Sequence, residues 1–578
     1  MTGAVGAAAQ GFVRLPVWRA RFLLAALVAA FVLLAMRALY LQAVRTDFLQ
    51  EKGDARYSRV LEVPATRGRI LERNGEALAV STPVKSIWAI PSDVALKPAE
   101  KRKLLGLLGM PAAELERKLA DAARDFVYLK RQLPPDTADA IAQLGLRGIY
   151  ESREYRRYYP AGEVTAHLVG FTGVDDTGQE GIELAHQDSL GGKPGSRRVI
   201  KDRLGGVVED VESIRAAQDG KDLTLSIDSK IQSLAFSALK SAVLQHRAKA
   251  GALIALDVRT GEVLALANVP SFNPNNRARL NGAQLRNRAI TDLVEPGSTL
   301  KPFTVALALE SGKISPQTTI ATAPGRLTLA NYTIRDVHPA AALTVTQVLQ
   351  KSSNVGAAKL ALALPREAMW DLFRRLGFGA APQLGFPGAA AGRLRPYRSW
   401  RPIEQATMAY GHGISLSLIQ LARAYTVFAT DGELLPLTLV KSEAVATGER
   451  LISAGSARAI RAMLEAAVQP GGTGPRARVM GWRVAGKTGT AHKQENGGYA
   501  ADKYLASFVG LAPVSAPRVV IAVMIDEPAA GQRYGGSVAA PVFAQVMQGA
   551  LRLLGVPHDA PLEPLELPSE ADETREST

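Results

Sequence analysis

Residues 22–36 are uninterruptedly apolar, and after Arg37 the stretch 38–44 extends the run to the roughly 20 residues that a bilayer span needs. No second run of adequate length follows, so everything from about Arg45 onward is expected to fold on one side of a membrane. A cleavable leader is the competing reading. However, no small-x-small site follows the apolar core, where Arg37, Tyr40 and Gln42 stand instead, and an uncleaved transmembrane anchor over residues 22–44 is the expectation. Arg37 would snorkel to the headgroups near one end of the span, and Tyr40 would sit at the interface. Arg14, Arg19 and Arg21 precede the run with no acidic residue before Asp47, which suits a cytoplasmic tail over residues 1–21; Arg37 and Arg45 on the other side weaken that charge argument.

At 578 residues the chain exceeds what one hydrophobic core supports, so two or more domains are expected. The absence of cysteine excludes disulfides, thiolate metal sites and cysteine nucleophiles. A formal charge of +15 could serve nucleic acid, anionic lipid or an acidic polymer. The anchor demotes nucleic acid, and the sequence carries no helix-turn-helix, zinc-finger or RNP signature. The seven histidines show no metal-ligand spacing such as H-E-x-x-H, so the sequence offers no metal motif.

Beyond the anchor, residues 67–79 read as two short strands around Asn74-Gly75, a dipeptide suited to a type I′ hairpin. Helical periodicity follows near residues 98–119 and 135–144, and turn-rich chain returns at 158–162 and 178–183. These features describe a mixed, β-rich non-catalytic module over residues 45–220. A new unit, residues 221–557, opens with the alternation Leu223-Thr224-Leu225-Ser226-Ile227 and with Asp228 placed to cap a helix. Strand pairs at 251–258 with 261–267, and at 505–511 with 519–525, bracket apolar-periodic helices such as 302–309 and 419–428. The fold class is therefore α+β, with helical layers against an antiparallel sheet whose strands come from distant sequence. Residues 558–578, acidic and proline-bearing with almost no aromatic content, read as a disordered tail.

Three short motifs fall in order within the second unit: Ser298-Thr299-Leu300-Lys301, Ser352-Ser353-Asn354 and Lys487-Thr488-Gly489-Thr490. Each alone is weak; together they describe a serine acyl-transfer site. Pro296-Gly297 puts Ser298 at a helix N-terminus, where residue i+3 shares its face, so the Lys301 amine can reach the Ser298 oxygen as general base. For that role Lys301 must be partly neutral, which burial or the positive charge of Lys487 could bring about. Ser352-Ser353-Asn354 is a polar break between helices. It could simply cap the second helix, or Ser352 could relay a proton to the leaving group while Asn354 bonds the substrate amide. Lys487-Thr488-Gly489-Thr490 reads as an exposed strand along which an extended peptide could add, with Gly489 allowing close backbone approach. Lys487 with the Thr488 and Thr490 hydroxyls would hold a carboxylate, and the backbone amides of Ser298 and Thr490 would form an oxyanion hole. His492 is expected to be a bystander.

With these residues in view, the chain resembles the class B penicillin-binding proteins, most closely the cell-division D,D-transpeptidases of Gram-negative bacteria. The likeness also includes residues 67–80, residues 157–163, Asn287-Arg288-Ala289, Glu295-Pro296-Gly297-Ser298, Tyr410-Gly411-His412-Gly413 and Tyr534-Gly535-Gly536. It implies an enzyme of the inner membrane that cross-links peptidoglycan stem peptides at the septum through an acyl-Ser298 intermediate. That intermediate would form by attack on the penultimate D-alanine, and β-lactam antibiotics would trap it. It implies no cofactor, a catalytic domain facing the periplasm, and as partners a polytopic glycan-strand polymerase and other single-span division proteins. An elongation-specific class B transpeptidase shares the chemistry and topology. A serine β-lactamase or carboxypeptidase would not need the first module and anchor. A β-lactam sensor would need a signalling domain larger than the stretch before Phe22, and a non-catalytic division scaffold would keep the pocket without the activity.

Overall fold

The computed structural model describes residues 16–44, 58–201, 207–278, 280–495 and 498–563. Its first element, helix α1 (Val17–Leu39), begins before the uninterrupted apolar run because Pro16 precedes it with a fixed φ of −54°, and it passes into a π-turn at Tyr40–Val44. Within Val17–Gln42 the most apolar 18-residue stretch has a mean hydropathy of 2.5, and none of the helix's side chains is buried by the other described residues. Between Arg21 and Arg37 this helix is apolar all round and unburied, the pattern that suits a lipid environment.

The lobe before Asp222 is organised by strands Ile70–Leu71, Ala77–Ala89, Val127–Leu133 and Ile149–Tyr158, which pair antiparallel, while Leu223–Thr224 adds parallel to Ile70–Leu71. A second sheet joins Ser58–Val63, Gly195–Lys201 and Val207–Arg215. The expected hairpin forms, but not with a type I′ turn: only Gly75 takes a positive φ (96°), whereas that turn type needs two. The reason is Glu72, whose buried carboxylate accepts from the Asn74 amide (2.6 Å), the Asn74 side chain (3.1 Å) and the Glu76 amide (3.2 Å). The helical stretch at 98–119 divides into Pro98–Leu108 and Ala112–Leu119, because Gly109 turns left-handed (φ 59°) just ahead of Pro111. Beneath the first sheet, Glu183 bridges Arg67 and Arg157 at 2.6 Å each, and all three side chains are at most 1% exposed.

The half after Asp222 opens with the expected cap: Asp228 Oδ1 accepts from the Lys230 and Ile231 amides at the start of helix α2 (Ser229–Gln245). Strands β1 (Ala250–Asp257), β2 (Val263–Val269), β3 (Ala485–Glu495), β4 (Gly498–Ala512) and β5 (Val519–Asp526) make one antiparallel sheet in the order β2-β1-β5-β4-β3. Along β1, Leu253 and Ala255 face α2 and the C-terminal helix α6 (Ala540–Leu553). Ala252, Ile254 and Leu256 face helices α3 (Lys301–Glu310) and α5 (Leu418–Ala429). Both faces are covered, so the strand reads as a continuous apolar run. Another helix, α4 (Asn354–Leu362), packs beside α3.

The two halves share a polar seam: Arg73 pairs with Glu262 (3.2 Å), Lys240 with Glu163 (2.7 Å), and a His167 ring nitrogen bonds the Gln284 carbonyl (2.7 Å). The segment expected to open the disordered tail packs first. His558 lies against Trp482 (ring centroids 4.1 Å), and Asp559 accepts from the Arg483 amide (2.7 Å); residues 564–578, like residues 1–15, lie outside the described chain.

Candidate active site

Gly297 takes a φ of 57° and starts a 3-10 turn, Gly297–Leu300, which leads directly into α3. Pro302 falls in the first turn of α3, where its missing N–H breaks no hydrogen bond. The i, i+3 spacing then does what the sequence implies: Lys301 Nζ donates to Ser298 Oγ at 2.9 Å. It also donates to Ser352 Oγ at 3.0 Å and to the Ser352 carbonyl at 2.5 Å. Lys301 is fully buried and Ser298 only 2% exposed, so the amine and hydroxyl meet away from bulk water.

The second motif carries both of its readings, divided among its residues. Ser353 is the cap of α4: its Oγ accepts from the Gly356 amide (2.8 Å) and donates to Asp336 Oδ2 (2.6 Å), while Asp336 Oδ1 accepts from the Val355 amide (3.0 Å). Ser352, held at a φ of 60°, turns its hydroxyl and carbonyl back to Lys301. Asn354 donates weakly to the Arg335 carbonyl (3.4 Å), and its buried Oδ1 has no hydrogen-bond partner among the described residues. A buried acceptor without a donor is an unmet cost that a substrate N–H can meet.

The third motif lies on β3, the edge of the sheet, but it is not exposed: Lys487 is 0% exposed and Thr488 and Thr490 are 1% exposed. The expectation of an exposed strand is corrected because other chain covers this edge. Thr488 Oγ1 bonds Thr473 Oγ1 (2.8 Å) and accepts from Lys487 Nζ (3.1 Å), and Thr490 Oγ1 accepts from the Gly535 amide (3.0 Å). Gly489 touches the Ser298 turn directly. A Cβ there would stand 2.8 Å from Thr299 Cγ2 and 3.1 Å from the Pro296 carbonyl.

Several residues that the motifs do not name complete the frame. Gly411, at a φ of 86°, backs onto Gly297 so closely that a Cβ would lie 2.2 Å from the Gly297 carbonyl. Tyr425 of α5 donates to the Thr299 carbonyl (2.7 Å). His412 is held neutral, its pKa brought down to about 4 by burial first, with the charge of Lys301 and then His492 adding to the effect. His492 lies against Tyr504 (ring centroids 4.5 Å, tilted) and bonds the Ala500 carbonyl. Asp336 and Thr473 carry no sequence signal, since their contacts come from loops whose course no periodicity records. Gly411 and Gly535 belong to recognisable glycine-bearing strings, although close approach becomes their role only in three dimensions.

A family model described as the penicillin binding protein transpeptidase domain matches residues 251–548, and one described as the penicillin-binding protein dimerisation domain matches residues 62–225. The chain belongs to the penicillin-binding protein transpeptidases. It is 45% identical to the probable peptidoglycan D,D-transpeptidase PenA of Neisseria gonorrhoeae over 548 residues, 94% of each chain. It is 43% identical to the peptidoglycan D,D-transpeptidase FtsI of Escherichia coli K12 over 549 residues, 94% of this chain and 93% of that one. Among solved structures, the transpeptidase domain of Burkholderia pseudomallei penicillin-binding protein 3 shares 50% identity at a TM-score of 0.54, covering 58% of this chain and 98% of that domain. As a penicillin-binding protein transpeptidase the chain is a serine-type acyl-transfer enzyme, and the hydrogen-bonded Ser298, Lys301 and Ser352 supply the arrangement such chemistry needs.

Proposed function

We propose that this D,D-transpeptidase acts on peptidoglycan stem peptides, with Ser298 as nucleophile and Lys301 as its general base. The observation that carries this reading is the buried Lys301 amine, 2.9 Å from Ser298 Oγ and 3.0 Å from Ser352 Oγ. Lys301 takes the Ser298 proton as Oγ attacks the carbonyl of the penultimate D-alanine, and Ser352 passes a proton to the departing D-alanine nitrogen. The backbone amides of Ser298 and Thr490 stabilise the oxyanion, Asn354 Oδ1 accepts from the substrate amide, and Lys487 with Thr488 and Thr490 binds the terminal carboxylate. Gly489 lets the Ser298 turn approach β3 closely, and the donor peptide adds beside that strand. β-Lactams acylate Ser298 in place of that dipeptide.

The family and the anchor support the wider reading. Residues 1–21 are a cytoplasmic tail, 22–44 the anchor, 45–220 a non-catalytic pedestal, 221–557 the transpeptidase domain on the periplasmic face of the inner membrane, and 558–578 an acidic tail. Relatives named FtsI and PenA favour action at the division septum over side-wall elongation. The corresponding partners are a polytopic glycan-strand polymerase and other single-span division proteins. Intact-mass and peptide mapping after exposure to a labelled penicillin tests the core of this reading. A slow-clearing adduct confined to Ser298, and absent in Ser298→Ala, is expected. Rapid clearance would point to a β-lactamase, and no adduct in folded parent would point to a scaffold. Depletion that yields filaments supports division, whereas rounded cells would move the assignment to elongation.

A further inference from the structure

Acylation accounts for the donor strand and leaves a group of side chains beside the nucleophile turn without a task. Glu295 stands three residues before Ser298. Its carboxylate accepts from the Gly413 amide (2.7 Å), Gln494 Nε2 (2.9 Å) and the Tyr499 hydroxyl (3.0 Å), all neutral donors. The cations nearby are committed elsewhere: Arg286 and Arg288 to Asp292, Lys493 to Asp526 and Glu527, and Lys249 to Glu527. Glu295 therefore has no ion-pair partner among the described residues. Burial raises its carboxyl pKa above the ordinary range, against the smaller opposing effect of its hydrogen bonds, as happens when a charge loses water without gaining a counter-ion.

Tyr499, whose hydroxyl reaches this carboxylate, belongs to a chain of three rings. His412 lies 5.1 Å from Tyr410 and 5.8 Å from Tyr499, centroid to centroid, and both tyrosines feel the charge of Glu295. The imidazole is neutral and so keeps a lone pair for a donor. Glu295 also borders a cavity of about 590 Å³ on the side of the turn lined by Ser415, Ala491 and His492. A carboxylate without a counter-ion, aromatic faces and a neutral imidazole form a receptor for a primary ammonium group.

We propose that this cluster is the acceptor site: Glu295, with Tyr410, His412 and Tyr499, binds the primary ammonium group of the second strand next to the Ser298 ester. The inference rests on the reading of Ser298 as the acylated residue. The bound ammonium releases one proton to solvent and becomes an amine, whose nitrogen attacks the ester carbon. The C–N bond forms and the bond from carbon to Ser298 Oγ breaks. The second proton lost by nitrogen returns to Oγ through Lys301, which leaves free serine and a new amide. A purely structural clamp would not need the charge, since an amide could accept from the same neutral donors.

The test uses the full chain in detergent micelles with a thioester analogue of the donor and graded concentrations of a primary-amine acceptor. Acylation, hydrolysis and aminolysis are followed in the same reaction. In Glu295→Gln the ratio of aminolysis to hydrolysis is expected to fall about tenfold, with a similar rise in the half-saturating amine, the loss expected for one charge-assisted contact. Gln494→Ala, which removes a neutral clamp contact and keeps the charge, is expected to stay within about threefold of the parent ratio, the scale of a neutral hydrogen bond. An unchanged ratio in Glu295→Gln overturns the proposal. So does a fall of acylation and aminolysis by one common factor, or a loss in Gln494→Ala as large as that in Glu295→Gln. If the parent forms no acyl-enzyme, the Ser298 assignment falls, and this inference falls with it.

Discussion

A methyl group at position 489 would stand 2.4 Å from Ser507 Oγ as well as 2.8 Å from Thr299 Cγ2, so Gly489→Ala must shift these buried side chains and, with the Pro296 carbonyl only 3.1 Å away, strain the packing of β3 on the Ser298 turn. Displacements near 1 Å cost reacting groups about 10²-fold in rate, and we expect a loss of that order in acylation of Ser298 by a labelled penicillin. The melting temperature should move far less, because the sheet beneath remains packed. Lys301→Met removes the amine that Ser298 and Ser352 share. If Lys301 is the base, acylation should fall by about 10²–10⁴-fold, the usual contribution of a positioned base. At this scale the contact of Ser298 with Lys301 was legible because local spacing suffices, i and i+3 meeting on any helix, whereas Ser352 joins them from 51 residues away. Asp336 and Thr473 were not legible, because each reaches its motif from a separate loop.

At the scale of elements, the break between Gln350 and Asn354 is held by Asp336, which takes both the Ser353 hydroxyl and the Val355 amide. Asp336→Ala leaves these donors without their acceptor and should cost about 1–3 kcal/mol in denaturant unfolding, with slower acylation because Ser352 loses its fixed turn. Asp336→Asn, which keeps one acceptor, should cost less. Apolar periodicity and capping placed α2, α3, α5 and the strands close to where they lie, since those signals are written in neighbouring residues. Two local readings failed for a common reason. The turn at Asn74-Gly75 is set by the Glu72 carboxylate, and the burial of residues 487–490 is set by chain from Thr473 and Gly535; in both cases side-chain or tertiary contacts outweigh the dipeptide or strand preference.

Across the whole molecule, the lobe before Asp222 depends on one charge. Glu183→Ala would leave Arg67 and Arg157 buried with no carboxylate between them, and we expect a loss of about 3–5 kcal/mol, measured as an earlier unfolding transition. The seam should also sense acid. Burial outweighs the Gln284 hydrogen bond and holds the His167 pKa down to about 4, against 6.5 for the free side chain. Between those values the unfolded chain takes up a proton that the native chain refuses, so stability is full above about pH 6.5 and falls as the pH drops toward 4. His167→Asn removes that proton, and the difference in melting temperature between parent and variant should shrink on acidification across this window. The sheet order carries a different consequence, one of timing. Because β1 lies between β2 and β5, a chain emerging from the ribosome must hold Ala250–Asp257 without one of its two neighbours until Val519–Asp526 has been made. The nucleophile turn waits equally for Gly489, so nascent chains stalled before β3 should not be labelled by penicillin, and competence should arise late in synthesis.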